Sequence, residues 1–178
     1  HERNAIELTP TDQQSATPEP LIAVTGATGY VGGRLVSALL DAGYRVRCIV
    51  REPRKLDQRP WSRDPRVSLA RSDLSVDDGL EQHLAGCEAA FYLIHSMEVS
   101  GRQYAQRDRL LAQRFVDAAE SAGVDRIIYL GGLGELGEGL SEHLSSRREV
   151  EEILASSSVA LTAFRAAMII GSGSASFE

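Results

Sequence analysis

The sequence predicts an α/β fold in which a doubly wound parallel sheet carries helices on both faces. Two observations lead to this prediction. Short apolar runs typical of buried strands alternate with longer segments whose apolar residues recur at helical spacing. The first strand and the first helix are joined by the turn "VTGATGYVGGRL", in which Gly26, Gly29 and Gly32 recur at three-residue steps.

Six strands are predicted, each from an apolar run that turn-forming or polar residues bound. In chain order they are "LIAV" (21–24), "RVRCIV" (45–50), "VSLARSDL" (67–74), "AAFYLIHS" (89–96), "RIIYLGGL" (126–133) and "ALTAFRAAMII" (160–170). Four helices alternate with them. The predicted helices begin at Val31, Asp77, Arg107 and Arg147, and Gly43 and Gly123 end the first and the third.

The first 20 residues contain three prolines and many polar residues, with almost no apolar periodicity. We expect residues 1–20 to be a disordered arm and residues 21–178 to be one domain. A domain of this kind normally continues beyond its sixth strand, whereas this chain stops soon after it. We therefore expect the domain to be truncated at its C-terminal end.

Composition excludes several classes of protein. The chain has 178 residues and a net charge of −6, which argues against a general nucleic-acid binder because phosphate neutralisation needs a basic surface. No apolar run reaches the roughly 18 residues of a membrane-spanning helix. Cys48 and Cys87 lie in or beside apolar runs, which predicts buried free thiols and a cytoplasmic location. No spacing of His, Cys, Asp and Glu predicts a metal site.

The glycine turn predicts a dinucleotide site. Between a strand and a helix, glycines allow a sharp turn and a close approach of another group to the backbone. The turn then presents free amide groups and the positive end of the helix dipole, which together favour a pyrophosphate. The strand before the glycines, the helix after them and the second strand complete the pattern.

The residue after the second predicted strand favours NADP(H). Arg51 stands where an NAD site usually carries an acidic residue, and an arginine there can pair with a 2′-phosphate. Arg34 and Arg54 are further candidates for positive charge near that phosphate. Glu52 could instead serve a ribose hydroxyl, so NAD(H) stays open.

The motif "TGATGYVGG", the strand end "YLIHSM" and the segment "FRAAMIIGSGSASFE" resemble the extended and atypical short-chain dehydrogenases/reductases. The similarity is to an NAD(P)H-binding subgroup labelled NmrA-like or sugar-nucleotide epimerase-like. It implies a Rossmann fold whose substrate-binding segment follows the sixth strand, and most of that segment is expected to be missing here. It also implies that Asp73 and Leu74 contact the adenine and that Arg147 binds the nicotinamide ribose. The predicted cofactor-binding residues are Gly26, Thr28, Gly29, Tyr30, Val31, Gly32, Arg51, Asp73, Leu74, Leu93, Ile94, His95 and Arg147.

Active members of this family use a serine, a tyrosine and a lysine, and the sequence departs from all three. The serine region reads "YLGGLG", His143 holds the tyrosine position and Arg147 holds the lysine position. Asp108 falls where many relatives have an asparagine. His143 and His95 are the candidate proton donors, since imidazole titrates near neutral pH, although His143 could equally face solvent.

Two functions follow from this resemblance. One is an NADP(H)-dependent oxidoreductase or epimerase-like enzyme that acts on an unidentified small molecule. The other is a non-catalytic NADP(H)-binding module, a redox sensor or regulator of the NmrA-like kind. The sequence leaves a homo-oligomer open and does not name the substrate.

Overall fold

A computed structural model describes residues 19–76, 79–95, 102–133, 142–167, 169 and 171–172. Its six strands form one sheet in the order β3-β2-β1-β4-β5-β6, and every neighbouring pair is parallel. The predicted doubly wound Rossmann fold is confirmed. The expected arm, residues 1–20, lies almost wholly outside the described residues.

The strands are β1 (Leu21–Thr25), β2 (Arg45–Val50), β3 (Val67–Arg71), β4 (Ala89–Tyr92), β5 (Arg126–Gly132) and β6 (Ala160–Ala166). The helices are α1 (Tyr30–Asp41), α2 (Leu80–Leu84), α3 (Arg102–Ala122) and α4 (Glu142–Ala155), with a single 3₁₀ turn at Pro53–Leu56. Each strand begins at its predicted first residue, because buried parallel strands are continuous apolar runs.

Four strands, β3 to β6, end earlier than predicted, and the early end of β4 bears on function. The apolar run of β4 continues to Ile94, but the strand itself ends at Tyr92, so Leu93, Ile94 and His95 follow the sheet edge. Helices α3 and α4 both begin five residues before their predicted starts. Their first turns are rich in polar helix-forming residues and lack the apolar periodicity on which the prediction relied.

The sheet separates two apolar clusters. On one face α1 packs against β1 and β2 through Val24, Val36 and Leu40. On the other face α2, α3 and α4 pack around Tyr92 and Phe115, whose rings lie 4.9 Å apart. Burial on both faces explains why the central strands read as uninterrupted apolar runs.

The two cysteines are buried and free, as predicted. Burial raises the pKa of the Cys48 thiol to about 12, and burial also raises the pKa of the Cys87 thiol. Within the part of the chain that the structure describes, every helix is too short or too polar to cross a bilayer. The same residues include no cluster of three His, Cys, Asp or Glu side chains arranged to bind a metal ion.

Candidate cofactor site

A crevice lies between β1 and β4, where the strand order of the sheet reverses. Strands β2 and β3 extend to one side of β1, whereas β5 and β6 extend to the other side of β4. Thr25 joins the two strands at this point, because its buried hydroxyl donates to the carbonyl of Phe91 at 2.8 Å and accepts from the amide of Leu93 at 3.2 Å. In open parallel sheets, ligands bind in the crevice beyond the carboxyl ends of such strands.

Two glycines allow the turn after β1 to pack tightly. Gly26 has a φ of +74°, and a Cβ atom there would lie 2.6 Å from the carbonyl oxygen of Leu93. A Cβ atom on Gly32 would lie 2.2 Å from the carbonyl oxygen of Gly26. These two positions are glycine because the first turn of α1, the glycine turn and the end of β4 lie in backbone contact.

Gly29 is different, because its surroundings leave room toward the cavity. Its φ of −75° suits any residue, and a Cβ atom would meet the Gly26 carbonyl oxygen at 3.3 Å, with no other contact within 4 Å among the described residues. The first helical bond of α1 runs from the Gly33 amide to the Gly29 carbonyl, so the amides of Tyr30, Val31 and Gly32 precede it. An open glycine followed by helix-start amides fits the diphosphate of a dinucleotide.

A cavity of about 220 Å³ begins at this turn and runs along the carboxyl edge of the sheet. It is lined by Gly26, Thr28, Gly29, Ile49, Val50, Arg51, Glu52, Lys55, Ser72, Asp73, Leu74, Leu93, Ile94, His95 and Leu111. Most of the predicted cofactor-binding residues therefore meet in one cavity. Tyr30, Val31, Gly32 and Arg147 are not among its lining residues.

One end of the cavity combines two cations with one acid. Arg51 directly follows β2 and is exposed. The Lys55 ammonium lies 2.9 Å from the Glu52 carboxylate, and this hydrogen-bonded ion pair lowers the pKa of Glu52, with Arg51 adding a smaller effect. Lys55, the single lysine of the chain, carries no signal in the sequence, because a one-turn helix in a segment rich in proline and arginine returns it to the cavity.

Asp73 lines the cavity beyond the end of β3. Its Oδ1 atom accepts from the Ser75 hydroxyl at 2.7 Å and from the Ser75 amide at 2.9 Å. These hydrogen bonds lower the pKa of Asp73, and the side-chain bond from Ser75 has the largest effect. The carboxylate is therefore charged and held in one orientation, as an acceptor for an adenine amino group would need to be.

At the other end, His95 meets α4. A guanidinium nitrogen of Arg147 lies 3.0 Å from Nε2 of His95, and the Tyr129 hydroxyl donates to the Arg147 carbonyl at 3.1 Å. The rings of His95 and Tyr129 contact edge to face, with centroids 6.3 Å apart. Three elements thus position His95 at the mouth of the cavity. Sequence spacing gave no sign of this contact, since the two residues are 52 positions apart.

Arg34 and Asp108 lie away from the cavity lining. The Cζ atom of Arg34 lies 3.8 Å from the ring centroid of Tyr30, and its guanidinium donates to the Ser172 carbonyl. The charge of Arg34 is therefore directed toward Tyr30 and Ser172. Asp108 is buried between α3 and α4, where it accepts from the Ser146 hydroxyl at 3.3 Å. His143 belongs to the first turn of α4, and its side chain lies outside the described residues.

The chain matches the model of a family described as NAD(P)H-binding over residues 26–172. It is 30% identical over 156 residues to the ceramide reductase of Caulobacter vibrioides, which covers 86% of this chain and 47% of that protein. It is 39% identical over 82 residues to the dihydroflavonol 4-reductase of Hordeum vulgare, or 43% of this chain and 23% of that protein.

Solved structures agree with the fold. The triphenylmethane reductase of Citrobacter sp., complexed with NADP(H), superposes with a TM-score of 0.67 at 25% identity, over 83% of this chain and 49% of that one. The enzyme WbmH of Bordetella bronchiseptica, in complex with NAD+, superposes with a TM-score of 0.69 at 18% identity, over 86% of this chain and 57% of that one.

This chain spans about half the length of the ceramide reductase and triphenylmethane reductase that it matches. The family match itself begins at the glycine turn and includes every residue that lines the cavity. The resemblance to atypical short-chain dehydrogenases/reductases is confirmed by this match together with the reductase and epimerase relatives. The chain belongs to the NAD(P)H-binding family, whose cofactor is a nicotinamide dinucleotide.

Proposed function

We propose that this chain binds NADP(H) in preference to NAD(H) and forms the cofactor-binding part of a reductase that acts on a small carbonyl compound. The observation that carries the proposal is the single cavity that joins the glycine turn, the cations Arg51 and Lys55, and His95. These features correspond to the three parts of a dinucleotide site: diphosphate, adenosine ribose and nicotinamide.

The charges beyond β2 support NADP(H). Arg51 can make a forked, charge-assisted contact with a 2′-phosphate. Glu52 would repel that phosphate. However, the Lys55 ammonium lies 2.9 Å from the Glu52 carboxylate and offsets the negative charge of Glu52. The Citrobacter relative was solved with NADP(H). The alternative is that Glu52 accepts from a ribose hydroxyl of NAD(H), the cofactor solved with WbmH.

The reductase activity is supported by the relatives named ceramide reductase and dihydroflavonol 4-reductase. When bound, the reduced cofactor supplies a hydride to the substrate carbon. The chain must then supply a proton to the carbonyl oxygen. A guanidinium nitrogen of Arg147 lies 3.0 Å from Nε2 of His95 and orients its ring at the cavity mouth. In this proposal His95 supplies the proton as an imidazolium and returns to the neutral ring, whose Nε2 accepts from Arg147.

A non-catalytic role is the second candidate, and one observation favours it. The family's serine, tyrosine and lysine are replaced in this chain, with glycines at Gly131 and Gly132, His143 in α4, and an arginine that is always protonated at position 147. A protein with this set could use NADP(H) as a bound signal, as NmrA-like regulators do.

Cofactor titration tests the binding proposal. NADPH and NADH are titrated by fluorescence against the wild type, Arg51→Ala and the control Arg45→Ala, which removes an equally exposed arginine from the opposite end of β2. NADPH should bind more tightly to the wild type. Arg51→Ala should lose about 10- to 150-fold in NADPH affinity, the effect of about 1.5–3 kcal/mol, and little in NADH affinity. Equal affinities of the wild type for NADPH and NADH would contradict the proposal and would favour Glu52 as the residue that contacts the ribose.

A turnover screen separates the enzymatic readings. The full-length protein is incubated with NADPH and a panel of aldehydes and ketones, and separately with NADP+ and a panel of sugar nucleotides. The absorbance of the reduced nicotinamide and the conversion of each substrate are followed. Net cofactor oxidation that depends on the substrate supports the reductase. Substrate conversion with no net oxidation identifies epimerase-like chemistry, and tight NADPH binding without any conversion of sugar nucleotides or carbonyls favours the regulatory module.

A further inference from the structure

Arg59 contacts the glycine turn and does not line the cavity. It follows the 3₁₀ turn after β2, and its guanidinium donates to the carbonyl oxygen of Thr28 at 2.6 Å. Thr28 belongs to the turn and lines the cavity, whereas Arg59 does not line it. The arginine is therefore attached to the backbone that would hold a diphosphate, without being part of the cavity wall.

The bond fixes one peptide group at both ends. The amide of Gly29 donates to the Gly26 carbonyl at 3.0 Å, and the carbonyl of Thr28 accepts from Arg59. The peptide plane between Thr28 and Gly29 is held by these two opposed bonds. The helix-start amides that follow immediately take their orientation from this plane.

Two features of the chain keep Arg59 in place. Trp61 is buried and donates from Nε1 to the carbonyl of Gly33 at 2.9 Å, which docks its segment on the first turn of α1. A Cβ atom on Gly33 would lie 2.9 Å from Nη1 and 3.0 Å from Cζ of Arg59. The second glycine of "VGG" thus makes room for the guanidinium, and it is not needed for the turn itself.

We infer that Arg59 is a positioning residue for the cofactor diphosphate, an inference that rests on the proposed cofactor binding. It fixes the glycine turn in the conformation that receives the diphosphate, and it adds positive charge at the amino end of α1. The diphosphate is common to NADPH and NADH. Loss of Arg59 therefore weakens both cofactors by the same factor, in contrast to loss of Arg51.

The test compares Arg59→Ala, Arg59→Lys and the control Arg63→Ala, which removes an exposed arginine from the same segment. NADPH and NADH affinities and the melting temperature are measured for each. Arg59→Ala should lower both affinities about 5- to 20-fold with their ratio unchanged, since a partly exposed charged bond is lost. Arg59→Lys should recover part of the loss, and Arg63→Ala should bind as the wild type does.

Gly33→Ala provides a test in which affinity and stability move in opposite directions. Alanine within a helix is more stable than glycine, so the melting temperature should rise or stay level. Its methyl group displaces the Arg59 guanidinium, a flexible side-chain end, so both cofactor affinities should fall as in Arg59→Ala. A role of Arg59 in folding alone would not produce this combination.

The outcomes separate this inference from the proposal beneath it. If the wild type binds neither cofactor, the proposed function fails and the inference fails with it. If the wild type binds and Arg59→Ala binds equally well, only the inference is overturned. It is also overturned if Arg59→Ala weakens NADPH alone, which would make the residue a 2′-phosphate contact, or if affinity falls only in step with the melting temperature.

Discussion

Gly29 and Gly32 belong to the same turn, yet the structure assigns opposite consequences to their replacement. We predict that Gly29→Val abolishes cofactor binding in a folded protein, whereas Gly32→Ala destabilises the fold. At Gly29 the backbone suits any residue, and a Cβ atom meets one carbonyl oxygen at 3.3 Å. The methyl groups of valine then occupy the space beside the helix-start amides, where a diphosphate would bind.

The magnitude for Gly32 follows from its contact distances. A Cβ atom there would lie 2.2 Å from the Gly26 carbonyl oxygen, and ordinary van der Waals contact begins at 3.4 Å. Helix α1 must therefore move by roughly 1 Å against its own turn, and overpacking of this kind costs about 1–3 kcal/mol. For a domain of this size that corresponds to a loss of about 3–10 °C in melting temperature.

Two measurements check this pair. Differential scanning calorimetry should place Gly29→Val within about 2 °C of the wild type and Gly32→Ala clearly below it. Fluorescence titration should show at least about a 100-fold loss of NADPH affinity in Gly29→Val, equivalent to about 2.7 kcal/mol. A Gly29→Val protein that binds NADPH normally would refute the reasoning, because the open side of Gly29 would then not receive the cofactor.

Three further predictions concern single groups. His95→Ala should lower turnover about 10²- to 10⁴-fold with cofactor affinity nearly unchanged, and the same loss in His143→Ala, with His95→Ala unaffected, would assign the proton to His143. The Cys48 thiol, with its pKa raised to about 12, should resist iodoacetamide at pH 8 in the native protein and react after unfolding, as mass spectrometry would report. The lowered pKa of Asp73 means that its charged form stabilises the fold above the ordinary carboxyl pKa, a contribution that is lost as pH falls through the lowered value. Urea titrations of Ser75→Ala should therefore show a weaker decline of stability in acid than the wild type, and an unchanged decline would contradict this assignment.

Local patterns were sufficient to predict the fold and the glycine turn at one end of the cavity. Strands buried on both faces appear as apolar runs in the sequence. Gly26, Gly29 and Gly32 all belong to one strand-to-helix turn, so the sequence itself shows their spacing. The distinct roles of these glycines could not be predicted, because they depend on which backbone atoms lie nearby. Gly26 faces Leu93, which is 67 positions later in the chain.

Two of the contacts that the sequence did not reveal join distant segments. Arg59 reaches Thr28 across 31 positions, and Trp61 reaches Gly33 across 28, so neither leaves a periodic signal. Lys55 returns to the cavity through a single 3₁₀ turn in a segment rich in proline and arginine. Each of these side chains is large with a polar end, and its partner is set by tertiary packing.

A crystal structure of the protein with NADP+ tests the central claim most directly. The account predicts the diphosphate at the amides of Tyr30 and Val31 beside Gly29, the 2′-phosphate within hydrogen-bond distance of Arg51, and the nicotinamide at the end of the cavity lined by His95. A diphosphate bound away from the glycine turn, or a nicotinamide directed away from His95, would contradict it.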